Sequence, residues 1–240
     1  MNQALDTMPQ LKRLNGATVP HDILRKGLAC IEGAVALASS FSIEDIVLID
    51  LLQQTERKVQ VFAIDTGRLP EETLEIAETI RLRYQLEIDW YFPERDAVEQ
   101  LEREKGLFSF RESLKNRQHC CHIRKVEPLQ RALCGLSGWI TGQRREQGTG
   151  RGLLQPIEID QTNGGIVKLN PLCYWSEAQL TAYVKQQRLP INRLHQQGYP
   201  SIGCAPCSRA VQPGEDPRAG RWWWENPEHK ECGLHKRTTP

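Results

Sequence analysis

The sequence predicts an α/β fold built on a mainly parallel β-sheet, because short apolar segments alternate along the chain with segments of helical periodicity. With 240 residues, the chain is long enough to bury a substantial core. We predict five strands, at residues 33–41, 59–65, 87–92, 138–142 and 165–172. Ligands of such sheets bind beyond the carboxyl ends of the strands. We therefore expect the loops after the first, second and fourth strands to face one crevice.

Three of the predicted helices begin soon after a strand. In the first, Ser42 is well placed as an N-cap, and Glu44 and Asp45 occupy the first turn, where acidic groups suit the helix dipole. The second begins near Pro70, because proline favours the first turn of a helix. The third covers residues 94–106. This alternation of strands and helices is typical of βαβ units.

The C-terminal part of the chain has a different composition from the rest. From Pro213 onward it is rich in proline, glycine and charged residues, and no internal repeat precedes it. We therefore predict one domain over residues 1–212, followed by a mobile, irregular C-terminal tail over residues 213–240.

Charge and hydropathy limit the partners and the compartment. The formal net charge of +1 favours neither nucleic acid nor an anionic membrane as a partner. No stretch reaches the roughly 18 to 20 apolar residues that span a bilayer, and the N-terminus lacks the apolar region of a signal peptide. Eight cysteines without such a signal favour reduced thiols, metal ligation or redox catalysis. We therefore expect a cytoplasmic enzyme.

Two pairs of cysteines predict a metal centre. Cys120 and Cys121 are adjacent, and Cys204 and Cys207 form a CxxC motif about 80 residues later. Four thiolates suit either zinc or a [4Fe–4S] cluster. Adjacent cysteines reach one tetrahedral zinc ion with difficulty, whereas a cubane cluster offers them different irons. We therefore favour the cluster over zinc.

Cys232 stands apart from these pairs, in the sequence ECGLH. Basic residues on both sides, among them Lys230 and His235, would lower the pKa of its thiol and favour the thiolate. Gly233 would let the thiol move. Cys232 is therefore a candidate reactive nucleophile, and an incidental exposed thiol of the tail is the alternative.

A site for an anion is predicted after the first strand. Ser39, Ser40 and Ser42 offer hydroxyls and backbone N–H groups at a helix N-terminus, although the loop has no glycine run of the Walker A type. Cations that could complete the site are Lys125, Arg144, Arg145, Arg151, Arg218 and Arg221. The loop is therefore a candidate anion site, with ordinary helix capping and solvated surface arginines as the alternatives.

These motifs together resemble the assimilatory adenylyl-sulfate reductases of the iron–sulfur, thioredoxin-dependent type within the PAPS reductase family. The resemblance covers about residues 30 to 235. It rests on SSFSIEDIVL, IDTGRL, CCHIRKVEPL, WITGQRREQ, NPLCYWS, GCAPCSR, GRWWWE and ECGLH. The presence of all these motifs in this order is highly specific.

The resemblance implies a Rossmann-like fold of the adenine-nucleotide α-hydrolase type with a modified pyrophosphate loop. It implies a [4Fe–4S] cluster on Cys120, Cys121, Cys204 and Cys207, with Cys232 as the nucleophile. Lys125 would link cluster and substrate electrostatically, and His235 would support a closed position of the tail.

The resemblance also implies the residues that bind substrate. The adenosine would be lined by Ile64, Asp65, Thr66, Gly67, Thr141 and Gly142. The phosphosulfate would be held by Arg151, Arg218 and Arg221. The loop from Arg144 to Arg151 is shorter than is usual in the family, so either of these two arginines is a candidate.

The function that the resemblance implies is reduction of adenosine 5′-phosphosulfate to sulfite and AMP through a cysteine S-sulfonate, in assimilatory sulfate reduction. Reduced thioredoxin, or a glutaredoxin, would donate the electrons, and we expect a homo-oligomer. One alternative is the 3′-phosphorylated nucleotide, PAPS, as substrate. A second is an iron–sulfur ATP pyrophosphatase of tRNA thiolation, although SSFSIED lacks the glycines of the SGGxDS-type loop. A third is a zinc-binding interaction module.

Overall fold

A six-stranded, mostly parallel sheet forms the framework of the protein, as seen in a computed structural model that describes residues 13–148 and 151–226. The strand order is β3-β2-β1-β4-β6-β5. The strands are β1 (Val35–Ser39), β2 (Gln60–Ile64), β3 (Ile88–Tyr91), β4 (Gly138–Ile140), β5 (Ile157–Asp160) and β6 (Ile166–Leu169). Strand β4 pairs in parallel with both β1 and β6, while β5 pairs with β6 in the antiparallel direction. The predicted α/β class is confirmed.

Helices connect the strands. Those of α type are α1 (Pro20–Cys30), α2 (Ile43–Leu52), α3 (Glu71–Tyr84), α4 (Arg95–Lys105), α5 (Leu114–Cys121), α6 (Glu127–Leu133) and α7 (Glu177–Gln187). A π-helical segment, His122–Val126, joins α5 to α6. Short 3-10 turns cover Leu14–Gly16, Ser109–Arg111, Arg145–Gln147, Gln161–Asn163, Arg193–Gln197 and Ala205–Cys207. In the part of the chain that the structure describes, no helix is long and apolar enough to cross a membrane.

The five predicted strands and three predicted helices are confirmed, with shorter bounds at most strand ends. Strand β5 was not predicted, because its four residues are too few to show a clear alternation of apolar and polar side chains. Helices α1, α5, α6 and α7 were not predicted either. Ser42 does occupy the N-cap position of α2, but its side chain makes no capping hydrogen bond.

The chain divides into two compact units. The first contains the described residues of Met1–Phe62, Glu75–Asp89 and Gly135–Asn192. The second contains those of Ala63–Leu74, Trp90–Cys134 and Arg193–Pro240. The predicted boundary at residue 212 stays a prediction; residues 213–226 belong to the second unit, and residues 227–240 lie outside the described part.

Helix α2 fills the centre of the first unit. Its residues Ile46–Ile49 are at most 1% exposed, as are Leu37 of β1 and Trp139 of β4. A helix with apolar residues on all sides is stable only when it is covered on all sides. One polar residue interrupts it: Asp50 accepts a hydrogen bond from the hydroxyl of Tyr84 at 2.8 Å and from that of Tyr183 at 2.7 Å. Asp50 therefore ties α2 to α3 and α7.

We expect Tyr84→Phe to lower the free energy of unfolding by about 1–2 kcal/mol, because the change removes a hydrogen bond to a carboxylate. Burial and the neighbouring Asp50 charge both raise the pKa of Tyr84, so the hydroxyl stays protonated as a donor. The free energy of unfolding is measured by urea denaturation for the wild type, Tyr84→Phe and Tyr183→Phe. A loss below about 0.5 kcal/mol in both variants would contradict a stabilising role for the Asp50 pairings.

Candidate active site

A pocket in the second unit gathers the four paired cysteines. Cys120, Cys121, Cys204 and Cys207 are each at most 9% exposed and line one pocket. Cys120 and Cys121 end helix α5, while Cys204 precedes the 3-10 turn Ala205–Cys207 and Cys207 ends it. The tertiary structure therefore brings together the two pairs that the sequence separates.

The charge of this pocket suits a group that is held by thiolates. Among the described residues, its lining includes five cations and no carboxylate; the cations are Arg68, Arg117, Arg124, Lys125 and Arg221. Within residues 13–148 and 151–226, no three Cys, His, Asp or Glu side chains are arranged so that they could hold a metal ion. Four thiols are donors that suit either zinc or an iron–sulfur cluster.

The π-helical segment His122–Val126 brings two of the cations to the pocket. In an α-helix, the N–H of residue 128 would pair with the carbonyl of residue 124, but Pro128 has no N–H and its ring crowds that carbonyl. The backbone hydrogen bonds of the helix therefore change to the wider π pattern just before α6. Single π turns of this kind are common at functional sites. Arg124 and Lys125 line the pocket from this turn, next to Cys121.

One of the four thiols, that of Cys204, has a lowered pKa. Burial opposes ionisation of Cys204, but the charge of Lys125, a hydrogen bond with Thr66 and the charges of Arg221 and Arg68 lower its pKa overall. The Oγ1 of Thr66 lies 3.3 Å from the Sγ of Cys204. Thr66 thus contacts a pocket cysteine, a role that was not predicted; its part in lining adenosine stays a prediction.

The other thiols with perturbed pKa values resist ionisation. Burial raises the pKa of Cys120, and it raises the pKa of Cys207 to about 12, with further contributions from the Cys204 and Cys121 charges. Several thiolates in one buried pocket repel each other, so a cationic ligand would stabilise them together.

A carboxylate outside the pocket fixes two of its cations. Glu102 Oε1 accepts hydrogen bonds from Arg68 Nη2 at 2.8 Å and from Arg124 Nη2 at 2.6 Å. Arg124 Nη1 donates to the carbonyl of Thr66 at 2.8 Å. Sequence reasoning missed Arg68, Arg124 and Glu102, although Arg68 lies within the TGRL sequence and Arg124 within HIRK.

A second buried ion pair lies on another side of the pocket. Arg117 donates to both carboxylate oxygens of Glu225, at 3.0 and 2.9 Å, and the side chains are 1% and 7% exposed. Trp222, 1% exposed, lies under two guanidinium groups, those of Arg117 and Arg221. Arg221 also forms a β-bridge with Ser208. The residues from Arg221 to Glu225 are therefore packed against the cysteine-bearing elements.

In the first unit, the loop after β1 donates hydrogen bonds to a carboxylate of the chain itself. The backbone N–H and the hydroxyl of Ser40 both donate to Oδ2 of Asp45, at 2.7 and 2.8 Å. Ser39 Oγ accepts from the N–H of Phe41, whose φ of 56° places it in the left-handed region. Burial raises the pKa of Asp45 to about 6. Donors that the sequence suggested for a bound anion are thus already paired with Asp45.

The loop after β4 is joined to this loop through Glu44. Arg144 donates to Glu44 at 2.9 Å and to Glu177 at 2.5 Å. Gln147 donates to Glu44 at 2.8 Å and accepts from Arg151. Arg144 is thus paired with three carboxylates, those of Glu44, Glu146 and Glu177.

Gly142 lies where the two loops approach each other most closely. A Cβ at Gly142 would lie 2.6 Å from Asp45 Oδ1 and 2.8 Å from Glu44 Cβ. Thr141 is buried beside it, and its hydroxyl donates to Asn170 at 2.6 Å. Only glycine therefore fits here without displacing the loop.

The predicted site residues fall into two groups. The first unit brings together Ser39, Ser40, Ser42, Thr141, Gly142, Arg144 and Arg151. The second unit contains Ile64, Asp65, Thr66, Gly67, Lys125, Arg218 and Arg221 with the four pocket cysteines. Cys232 and His235 lie outside the described residues. The binding and catalytic roles of all these residues stay predictions.

Within the second group, two segments have defined local structure. Asp65 accepts the N–H of Gly67 at 2.8 Å, and Gly67 has a φ of 68°, so a tight turn follows β2. Arg218 is partly exposed, and its backbone N–H donates to Asp216 at 2.7 Å.

The mostly parallel six-stranded sheet, with its loop–helix junction after β1, defines an α/β protein of the adenine-nucleotide α-hydrolase-like class. The chain belongs to the family of the phosphoadenosine phosphosulfate reductase domain, which matches residues 34–210. The predicted family and fold are thus confirmed.

Similar proteins agree with this placement. An adenosine 5′-phosphosulfate reductase of Allochromatium vinosum is 50% identical over 204 residues, which cover 85% of this chain and 79% of that protein. The enzyme of the same name from Burkholderia cepacia is 50% identical over 201 residues, covering 84% and 80%. The crystal structure of a phosphoadenylyl-sulfate reductase from Candida auris, in complex with phosphate, superposes with a TM-score of 0.70 at 28% identity, covering 84% and 96%.

We expect Asp45→Asn to remove a pH dependence of stability. The folded-state pKa of Asp45, about 6, lies above the ordinary value of 3.8, so the folded state retains this proton between these pH values. Stability is then lost as the pH rises through this window, by up to about 3 kcal/mol for a shift of this size.

The measurement is urea denaturation of both proteins at pH 4, 5, 6 and 7. The free energy of unfolding of the wild type should fall relative to that of Asp45→Asn as the pH rises. A difference that stays constant across this range would contradict a raised pKa at Asp45.

Proposed function

We propose that the protein reduces adenosine 5′-phosphosulfate to sulfite and AMP with reduced thioredoxin as electron donor, in sulfate assimilation. The observation that carries the proposal is the buried four-cysteine pocket, whose lining in the described part of the chain has five cations and no carboxylate. It occurs in a chain that is 50% identical to proteins named adenosine 5′-phosphosulfate reductase. The protein is accordingly an oxidoreductase.

The chemistry proposed for Cys232 is nucleophilic. Its thiolate attacks the sulfur of the phosphosulfate, the bond from sulfur to the bridging oxygen breaks, and AMP leaves with that electron pair. A cysteine S-sulfonate remains on the enzyme. A donor thiolate then attacks the Cys232 sulfur and releases sulfite, and the second donor thiol resolves the mixed disulfide. The donor dithiol thus supplies both electrons.

Cations are needed because the attacking thiolate and the phosphosulfate are both negative. Lys125 and Arg221 line the pocket in the second unit. In the loop after β4, Arg144 already binds Glu44 and Glu177. Arg151, Arg218 and Arg221 would bind the phosphosulfate, with Arg144 as the alternative candidate in the loop after β4. His235 would support the closed position of the tail.

Cys120, Cys121, Cys204 and Cys207 would hold a [4Fe–4S] cluster, because the pocket supplies four thiols and compensating positive charge. When bound, the cluster would supply structural cohesion and an electrostatic field, since the electrons of the scheme come from thiols. Lys125 would connect this field to the substrate.

The nucleotide would bind along the strand-end residues, with Ile64, Asp65, Thr66, Gly67, Thr141 and Gly142 around the adenosine. Ser39, Ser40 and Ser42 would contact the phosphosulfate, which would compete with Asp45 for the two donors of Ser40. Oligomeric state, cytoplasmic location and the choice between thioredoxin and glutaredoxin stay predictions.

PAPS is the second candidate substrate. The family is named for it, and so is the reductase from Candida auris. We favour the nucleotide without the 3′-phosphate, because the more similar proteins are named for that substrate and the loop after β1 carries Glu44 and Asp45.

The decisive experiment is sulfite release from each nucleotide by cluster-loaded protein, with and without reduced thioredoxin. We expect kcat/KM for adenosine 5′-phosphosulfate to exceed that for PAPS by at least tenfold, and turnover to require thioredoxin. Without thioredoxin, mass spectrometry should find one sulfonate, on Cys232, and none in Cys232→Ser. Sulfonation of Cys232→Ser would refute the assigned nucleophile, and faster turnover of PAPS would reverse the substrate assignment.

Loss of a pocket thiol should remove the cluster. We expect Cys204→Ala, purified without oxygen, to lose most of its iron and sulfide, because one of four ligands is absent. The matched control is Cys173→Ala, at a cysteine that is 0% exposed in the first unit and outside the pocket. Equal iron contents in both variants, or a colourless wild type that contains zinc, would contradict the cluster.

A further inference from the structure

A second cavity, here called the outer cavity, lies beside the cysteine pocket in the second unit. Its volume is about 490 Å³. Its apolar lining residues are Leu69, Val98, Leu107, Phe108, Ala205 and Pro206. It opens at the surface beside Leu107 and Phe108, which are 57% and 59% exposed. Of the residues that we propose to bind substrate, Gly67 alone belongs to the described lining. The outer cavity is therefore largely separate from the proposed substrate contacts.

The outer cavity and the cysteine pocket share a wall. The side chains of Arg68 and Arg124 line both of them. The CxxC turn is shared as well, because its two cysteines line the cysteine pocket and the residues between them, Ala205 and Pro206, line the outer cavity. A layer of side chains and one backbone turn therefore separate the four thiols from the outer cavity.

Arg68 lies at the boundary between the two cavities. On one side, its positive charge acts on one cysteine of each pair, Cys120 and Cys204. On the other side, its Nη2 donates to Glu102 Oε1 at 2.8 Å and to the carbonyl of Leu107 at 2.9 Å, and both of these residues line the outer cavity. The side chain thus extends from the thiols to the outer cavity.

The second arginine of the wall is more deeply buried. The side chain of Arg124 is 6% exposed, against 15% for that of Arg68, and Arg124 Nη1 donates to the carbonyl of Thr66 at 2.8 Å. Both arginines donate to the same oxygen of Glu102, where their like charges repel each other. Arg68 is the more exposed of the two and has the volume of the outer cavity next to it. Arg68 is therefore the side chain that can open the wall.

We propose that the outer cavity is the route by which small solutes reach the four pocket thiols, and that the side chain of Arg68 closes this route. Movement of one side chain at such a boundary is a local opening, which needs far less free energy than global unfolding. The closure protects the thiols whether they bind a cluster, zinc or no metal, so it goes beyond the proposed function.

The first test measures the release of iron to EDTA from protein that was purified without oxygen and carries its cluster. We expect Arg68→Ala to release iron at least about fivefold faster than wild type, because no side chain then closes the wall. Arg68→Met keeps a side chain of similar length without the charge, and it should release iron at nearly the wild-type rate. Equal acceleration in both variants would show that charge rather than closure protects the thiols, and the proposal would be wrong.

The route is tested by filling the outer cavity. Val98 lines this cavity from helix α4. We expect Val98→Trp to slow the release of iron, and the double variant Arg68→Ala/Val98→Trp to return close to the wild-type rate. Release from the double variant that stays as fast as from Arg68→Ala would refute the outer cavity as the route.

Alkylation by iodoacetamide, mapped by mass spectrometry, supplies a second readout with an internal control. The four pocket thiols should react faster in Arg68→Ala, whereas Cys173, which is 0% exposed in the first unit, should react at the wild-type rate in every variant. The matched control is Arg209→Ala. Arg209 pairs with Glu215 in the second unit and lies outside the described linings of both cavities, so this variant should leave both rates unchanged.

The outcomes separate the closure from the proposed function. A wild type without iron would contradict the cluster, and alkylation of the four thiols would then decide the closure. Wild-type rates of iron release and alkylation in folded Arg68→Ala would overturn the proposal. Should Arg68→Ala fail to fold, which faster alkylation of Cys173 would reveal, Val98→Trp decides alone, and unchanged rates in that variant would refute the route.

Discussion

Burial of four thiols in a pocket with a cationic lining is the constraint on which the second unit depends. A thiolate loses its hydration on burial, so positive charge must lie nearby before it can form. The chain meets this requirement with four arginines and Lys125, and it fixes the arginines from outside. Glu102 fixes two of them and Glu225 a third. The carboxylates thus orient the cations without adding negative charge to the pocket wall.

In the first unit, carboxylates also fix the positions of polar and cationic groups, here in the loops after β1 and β4. Asp45 accepts both hydrogen bonds of Ser40, and Glu44 is bound by Arg144 and Gln147. Carboxylates therefore fix the shape of these loops from within.

The local sequence was sufficient to predict features that depend only on neighbouring residues. The strand before Ser39, the start of α2 after Ser42 and the cysteine pairs could be predicted from period, capping position and spacing. Strand β5 could not, because four residues at a sheet edge are specified by their partner β6 rather than by their own pattern. The π turn was not predicted either. Pro128 is its cause, but a proline at this place in a sequence is compatible with several local geometries.

By itself, the sequence determined the α/β class, the family and the four cysteines of the pocket, because strand periodicity and motif order are properties of neighbouring residues. Only the tertiary structure decided which charges meet. It paired Arg117 with Glu225 across 108 positions and placed Thr66 beside Cys204 across 138. Such contacts arise from packing between distant segments, and no local pattern of residues specifies a partner that lies so far along the chain.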